Sequence, residues 1–216
     1  MSARPFIVLT DEQRTDAWRQ ARVGRLTGTG AAAMLAKIKS GEAAARRDLR
    51  TRLVVERLTN TSQEDSYVSK EMQRGNDLEM DAIAVYEALT GRTVMPVGFL
   101  GHSKLLAGCS PDGAVDDFAG LVEVKVPKSA THLRYFREQR VPLDYIPQIT
   151  HNLWISGAAW CDFISYDDRM PEPLRLFVKR IHASDVDLAA YELVVRLFLN
   201  EVNAELEDVR RLIPAA

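Results

Sequence analysis

Two short stretches hold the residues best suited to chemistry. Ser110-Pro111-Asp112-Gly113 is followed by Leu121-Val122-Glu123-Val124-Lys125-Val126-Pro127, with Asp112 eleven residues ahead of Glu123. On a strand, successive side chains alternate between faces, so Val122, Val124 and Val126 point one way while Glu123 and Lys125 point the other. The valine face belongs in a core. If the segments before and after the intervening Gly and Asp residues form a hairpin, Asp112, Glu123 and Lys125 meet at one spot. Two carboxylates offer hard oxygen ligands to Mg²⁺ or Mn²⁺, and such an ion activates water and stabilises charge on a phosphoryl oxygen. The lysine can orient or deprotonate the water, or neutralise the developing charge. An isolated Glu-x-Lys reads better as a solvated ion pair on a strand face. The Pro-Asp-Gly ahead of it at this distance favours the metal site.

These residues need a sheet to carry them and helices to cover it. Thr93 to Leu100, Leu105 to Cys109 and Leu121 to Val126 are short β-rich runs separated by Gly and Asp turns. Trp160 to Tyr166 and Leu174 to Ile181 read as two more strands. The first 35 residues are mostly polar with a helical pattern, ending in Thr27-Gly28-Thr29-Gly30 before the apolar run Ala31 to Leu35. That arrangement predicts a helix N-terminus. Residues 43–59 predict a helix with Leu49, Leu53, Val54 and Leu58 on one face, opposite Arg46, Arg47, Arg50 and Arg57. The arginines form either a solvated face or a DNA-facing patch. Residues 60–68 read as a polar loop. Further helices are predicted from Lys70 to Leu89 with Gly91 as cap, from Ser129 to Glu138, from about Asp144 with Pro147 in the first turn, and from Ser184-Asp185-Val186-Asp187 to about Leu212. This order predicts an α/β (α+β) domain over residues 1–216, with one central mixed sheet flanked by helices.

Composition narrows the function classes. The chain has 216 residues, 46% apolar and 27% charged, which suits one globular domain with its own core. With 28 Lys+Arg against 30 Asp+Glu the net charge is −2, so any nucleic-acid contact must come from a local basic patch. Cys109 and Cys161 are too few for a disulfide scaffold, a four-cysteine zinc site or an iron–sulfur cluster. No stretch approaches the roughly 18 apolar residues of a membrane span, and the N-terminus does not read as a signal peptide. A cytoplasmic location is expected. No G-x-x-x-x-G-K-(S/T) loop is present, which argues against ATP use. His102, His132, His151 and His182 are scattered without a metal-ligand spacing and read as structural or surface residues. Cys109 reads as a small buried packing residue, and Trp18, Trp154 and Trp160 as core.

Pro111-Asp112 with Glu123-Val124-Lys125 resembles the PD-(D/E)xK nuclease core, whose fold is that of the restriction endonucleases. Other motifs sharpen the likeness. Trp18 with Arg22-Val23-Gly24-Arg25-Leu26-Thr27-Gly28-Thr29, then Arg74-Gly75-Asn76-Asp77-Leu78-Glu79, stand in order before the core. Tyr145-Ile146-Pro147-Gln148 with Trp154, and Tyr166-Asp167-Asp168-Arg169-Met170, follow it. Together these resemble the phage lambda exonuclease or YqaJ-type viral recombinase family over roughly residues 15–180. The resemblance implies that Asp112 and Glu123 are the principal ligands of Mg²⁺ or Mn²⁺, helped by the Val124 carbonyl. Glu79 would serve a second metal position, a choice over Asp77 and Asp81 that the motif makes and spacing alone does not. Lys125 matches the catalytic lysine. Arg22, Thr29, Ser110 and Gln148 match a pocket for the 5′-phosphate, a sensible set because a guanidinium grips phosphate bidentately while hydroxyl and amide donors complete the cradle. Thr29 stands where Ser is common, and Gly28 where Ala is usual.

The function so implied is a metal-dependent 5′→3′ exodeoxyribonuclease. It would digest one strand of double-stranded DNA from a 5′-phosphorylated end, leaving a 3′ single strand for a single-strand-annealing recombination protein. The resemblance also implies a homotrimer around DNA. The alternatives are a PD-(D/E)xK nuclease of other polarity or substrate, or a non-catalytic DNA-end-binding scaffold. A scaffold has no need for two carboxylates where phosphate must approach.

Overall fold

The computed structural model describes residues 6–64 and 69–213. In chain order the elements are β1 (Phe6–Leu9), α1 (Asp16–Arg22), β2 (Leu26–Thr27), α2 (Ala31–Leu35), α3 (Ala44–Thr59), α4 (Lys70–Thr90), β3 (Val94–Met95), β4 (Phe99–His102) and β5 (Ala107–Cys109). They continue with β6 (Gly113–Val115), β7 (Gly120–Lys125), α5 (Ser129–Glu138), α6 (Ile146–Ser156), β8 (Trp160–Tyr166), β9 (Leu176–His182) and α7 (Leu188–Arg210).

The strands divide between two sheets rather than forming the single one expected. One has the order β1-β4-β5-β2 and the other β3-β6-β7-β8-β9. The split follows from Pro96-Val97-Gly98, which breaks the apolar run at 93–100 so that β3 joins one sheet and β4 the other. Proline has no N–H for a ladder. A Cβ at Gly98 would stand 2.4 Å from the carbonyls of Leu9 and Asp11, so the chain passes too close there for any other residue. Phe6–Leu9, within the stretch read as helical, is a strand paired with β4. Gly28–Gly30 is a short 3₁₀ turn, and the helix behind it has only five residues.

The second sheet positions the chemistry. β6 and β7 form the hairpin, with Gly113 opposite Val122 and Val115 opposite Gly120. Its turn runs through Asp116, Asp117 and Phe118, all at positive φ. β7 then pairs in parallel with β8, Glu123 opposite Phe163 and Lys125 opposite Ser165. Both faces of β7 are covered. Val122 and Val124 pack with Ile164, Trp160 and the α4 residues Ala82, Ile83 and Tyr86. On the other face, Leu121, Cys161 and Phe163 join Tyr135 of α5 and Ile149 and Leu153 of α6 in the larger core. Because β7 is central in its sheet and covered on both faces, Glu123, on the face opposite the valines, is 1% exposed.

The helices follow their signals closely. Ser69 caps α4 through Met72 N, and Gly91 ends it at φ +67. The arginine face of α3 is mostly taken up by contacts to α7 and Glu42, with Arg47 left exposed beside Asp48. Arg46 pairs with Glu42 and Glu201, Arg50 with Glu42 and Glu205, and Arg57 Nη1 donates to Asn203 at 2.7 Å, which fastens α3 to α7. Leu58, predicted on the apolar face, is exposed. Among the described residues no helix is long and apolar enough to cross a membrane.

Candidate active site

Asp112 sits one residue before β6 and completes the hairpin's pairing. Its N–H donates to the Val122 carbonyl at 3.2 Å, and its Oδ2 accepts from Val124 N at 2.6 Å. That bond ties the carboxylate of one segment to the backbone between Glu123 and Lys125. Lys125 Nζ donates to Glu123 Oε1, which also accepts from Gln148 Nε2 at 2.6 Å. Glu123 Oε2 accepts from Asn152 Nδ2 at 3.0 Å. Gln148 and Asn152 are one turn apart on α6, so one helix face supplies both amides. Glu79, on α4, accepts from Arg14 Nη2. Arg14 is held at φ +74, an uncommon conformation for a side chain of that kind. The preceding Gln13 anchors it by donating to Val97 O at 2.8 Å and Pro111 O at 3.0 Å.

The electrostatics describe a site short of positive charge. Burial raises the Asp112 pKa, against the opposing pull of Lys125 and the Val124 N–H. Burial, with Asp112 adding repulsion, pushes Glu123 up to about 7 despite Lys125 and Asn152. Burial and then Asp112 raise Glu79 as well. Burial disfavours the charge on Lys125, but Glu123 and Asp112 outweigh it and hold the group above its ordinary value, as an ammonium. Three carboxylates that resist ionisation around one spot, all with hard oxygen donors, fit a divalent cation of the Mg²⁺ or Mn²⁺ kind. Among the described residues no group of three or more His, Cys, Asp or Glu forms a ready metal site. The set that fits is therefore Asp112 and Glu123, completed by the Val124 carbonyl and water, with Glu79 beside it. Mg²⁺ commonly keeps several waters and takes one or two carboxylates.

The four residues matched to a phosphate pocket are placed unevenly. Arg22 is 9% exposed, its guanidinium 4.4 Å over the Trp18 ring, and Trp18 Nε1 donates to Ser110 Oγ at 2.8 Å. Arg22 and Ser110 thus share one aromatic wall, which gives Trp18 a role beyond packing. Arg22 Nη2 donates to Glu64 at 3.0 Å, while its buried Nε has no acceptor among the described residues. Thr29 is exposed, its hydroxyl 3.1 Å from that of Thr27. Gln148 is turned to Glu123 and is part of the metal-site hydrogen bonding. A Cβ at Gly28 would meet Asn152 Oδ1 at 2.8 Å and Gln148 Cγ at 3.3 Å, so the Thr29 turn leans directly on the α6 amides. Asn152, Gln13, Arg14 and Trp18 were not read as site residues, because each reaches the site through a partner distant in sequence. The histidines are structural: His132 bonds Ser165 and the Leu174 carbonyl, and His151 bonds Tyr191 and the Gly108 carbonyl. Cys109 is fully buried, with its thiol pushed up by burial.

Known proteins share the family signature and the fold. Residues 17–159 match the model of the YqaJ-like viral recombinase domain. No curated protein matches the chain. The alkaline exonuclease LHK-Exo from Laribacter hongkongensis is 37% identical, with a TM-score of 0.82 over 91% of this chain and 97% of that one. LHK-Exo in complex with dAMP gives 0.83 at the same identity and coverage. A phage-related exonuclease from Haemophilus somnus 129PT, 11% identical, shares the fold at a TM-score of 0.64 over 86% of this chain and 96% of that one. With Asp112, Glu123 and Lys125 gathered on one hairpin and the match spanning most of the sequence, the chain belongs to the YqaJ-like viral recombinase family, and its fold is that of the PD-(D/E)xK exonucleases.

Proposed function

We propose that the chain is a single-domain, Mg²⁺-dependent 5′→3′ exodeoxyribonuclease acting in the cytoplasm on 5′-phosphorylated ends of double-stranded DNA. The observation that carries this reading is the convergence of Asp112, Glu123 and Lys125 beside Glu79, in a site whose carboxylates all resist ionisation. A divalent ion on Asp112, Glu123 and the Val124 carbonyl would supply an activated water and neutralise charge on the phosphoryl oxygens. Gln148 and Asn152 fix the Glu123 carboxylate, and the Lys125 ammonium neutralises charge on the phosphate as water adds to phosphorus. The bond that breaks is P–O3′, and the departing 3′ oxygen takes up a proton. The new 5′-phosphate then stays on the shortened strand, where an end anchor holds it for the next cycle. LHK-Exo was solved with dAMP, a nucleoside monophosphate of the kind such cleavage releases.

Polarity needs that second anion site, because the metal chemistry is indifferent to strand direction. Arg22 is the anchor in this reading, since its buried Nε, without an acceptor among the described residues, and its Trp18 wall leave a guanidinium prepared for phosphate in place of Glu64. Ser110 stands on the same wall, with Thr29 and Gln148 at the adjoining turn. The 3′ strand left behind suits a single-strand-annealing protein as partner. Digestion of linear duplex with Mg²⁺, against an EDTA control, tests the activity. Wild type should prefer a 5′-phosphate over a 5′-hydroxyl by roughly tenfold to a hundredfold, the worth of a charge-assisted hydrogen bond. Arg22→Ala should remove much of that preference by slowing the phosphorylated substrate. Digestion from 3′ ends, or no phosphate preference in wild type, refutes the polarity.

A further inference from the structure

Two motifs take no part in the site described so far: the Tyr166-Asp167-Asp168-Arg169-Met170 segment and the Arg74 that opens Arg74-Gly75-Asn76-Asp77-Leu78-Glu79. The fold brings them together. β8 runs parallel to β7 with Ser165 opposite Lys125, so Asp167 emerges beside the chain that leaves the catalytic strand. Asp167 is fully buried. It accepts from Arg169 Nε at 2.7 Å and Nη2 at 3.1 Å, and from Arg74 Nη2 at 3.1 Å. Arg169 Nη2 also donates to the Pro127 carbonyl at 3.4 Å, and Arg74 to Asp168. One buried carboxylate therefore fixes two guanidiniums, which line a cavity of about 430 Å³ with Lys70, Lys128, Val126 and Pro127. Glu71, the remaining wall residue, pairs with Lys128 at 3.3 Å through two exposed side chains. The N-terminus of the ten-residue α5 opens at Lys128 without a side-chain cap.

We propose that this cavity is a further phosphate site of the DNA cleft, distinct from the Arg22 end anchor, taking a backbone phosphate close to the reacting one. The inference rests on the nuclease reading above and adds to it a place for the strand. Arg74 and Arg169 are pre-set by the buried Asp167, and with Lys70 and Lys128 they outnumber the two exposed carboxylates, Asp168 on Arg74 and Glu71 on Lys128, so the surface left to a ligand is net cationic. Lys70 and Lys128 are exposed at the rim and add mobile charge. Lys128 lies three residues beyond Lys125, about 10 Å of extended chain at most. The held phosphate is therefore one close along the strand to the scissile one.

Steady-state digestion of linear duplex across a salt series tests this, with Lys70→Glu, Lys128→Glu and Glu71→Gln, all on exposed side chains, and thermal melts to confirm folding. Each lysine reversal should raise KM about tenfold, far more than it lowers kcat, and make the dependence of log(kcat/KM) on log salt shallower by about one. Glu71→Gln, which frees Lys128, should move KM the other way. Lysine variants with wild-type KM and salt slope, while wild type digests DNA, overturn the phosphate site alone. A wild type that neither binds nor digests duplex DNA overturns the nuclease reading, and this site with it.

Discussion

Glu123 accepts from Lys125, Gln148 and Asn152 in the proposed active site, and its surroundings make opposite demands on it. Burial raises its pKa while Lys125, Gln148 and Asn152 stabilise the carboxylate in place. Asp112→Ala, Glu123→Ala and Lys125→Ala should each lower the digestion rate by orders of magnitude, with Glu79→Ala milder because Glu79 stands beside the principal ligands. An Asp112→Ala protein that digests duplex at a near wild-type rate would remove the metal assignment. Gly28 offers a finer test. An added methyl would meet Asn152 Oδ1 at 2.8 Å, and Asn152 cannot yield without releasing Glu123. Gly28→Ala should cost about 1–3 kcal/mol of stability, in the range of an overpacked core, and slow digestion. Asn152→Ser gives the methyl room, so the double variant should cost less than the sum of the two singles in urea melts. Additive costs would show that the contact does not constrain the site.

α6 ties the catalytic hairpin to the rest of the core. Its amides reach Glu123, while its His151 bonds the Gly108 carbonyl at 3.0 Å and the Tyr191 hydroxyl at 2.7 Å. The carbonyl can only accept, so Nε2 carries the proton and Nδ1 accepts from Tyr191. Burial lowers the His151 pKa to about 4 from 6.5. Below 6.5 the unfolded chain takes up a proton that the folded chain refuses, so stability falls as pH drops from about 6.5 towards 4. The full effect is about 3 kcal/mol, at 1.36 kcal/mol per pH unit. Urea melts at pH 7 and pH 4.5 should show His151→Gln losing less stability on acidification than wild type. An equal loss would mean that His151 does not carry the acid sensitivity. On the far side of α6, the Arg46 and Arg50 pairs with Glu201 and Glu205 spend the most basic stretch of the sequence on holding α3 to α7.

A molecule of net charge −2 that works on a polyanion has to concentrate its cations where the strand lies. The Arg22 wall and the Arg74–Arg169 cavity are two such places. Processive digestion also needs the duplex retained between cycles, and a homotrimeric ring around DNA is the assembly proposed for that. Sedimentation at micromolar concentration should give three times the chain mass. A monomer at that concentration would count against the ring.

Local patterns were enough to read α4, α5, β7, β8 and the Asp112, Glu123 and Lys125 constellation, because caps, strand alternation and a short hairpin depend on neighbours in the chain. They did not reveal β1, the three-residue β6, or the division into two sheets. Strand pairing is a choice among distant segments, and Phe6–Leu9 becomes a strand only because β4 accepts it. The same reason hid the burial of Glu123, which depends on β8 and α6 covering a strand whose sequence alternates like a half-exposed one. It also hid the partners of the arginines. A guanidinium's role is set by which carboxylate the fold delivers to it: Glu201 and Glu205 for α3, Glu79 for Arg14, Asp167 for Arg74 and Arg169. Asp112, Glu123 and Lys125, the proposed reacting residues, are close in sequence, whereas Gln148, Asn152 and the arginines' partners meet them only in the folded chain.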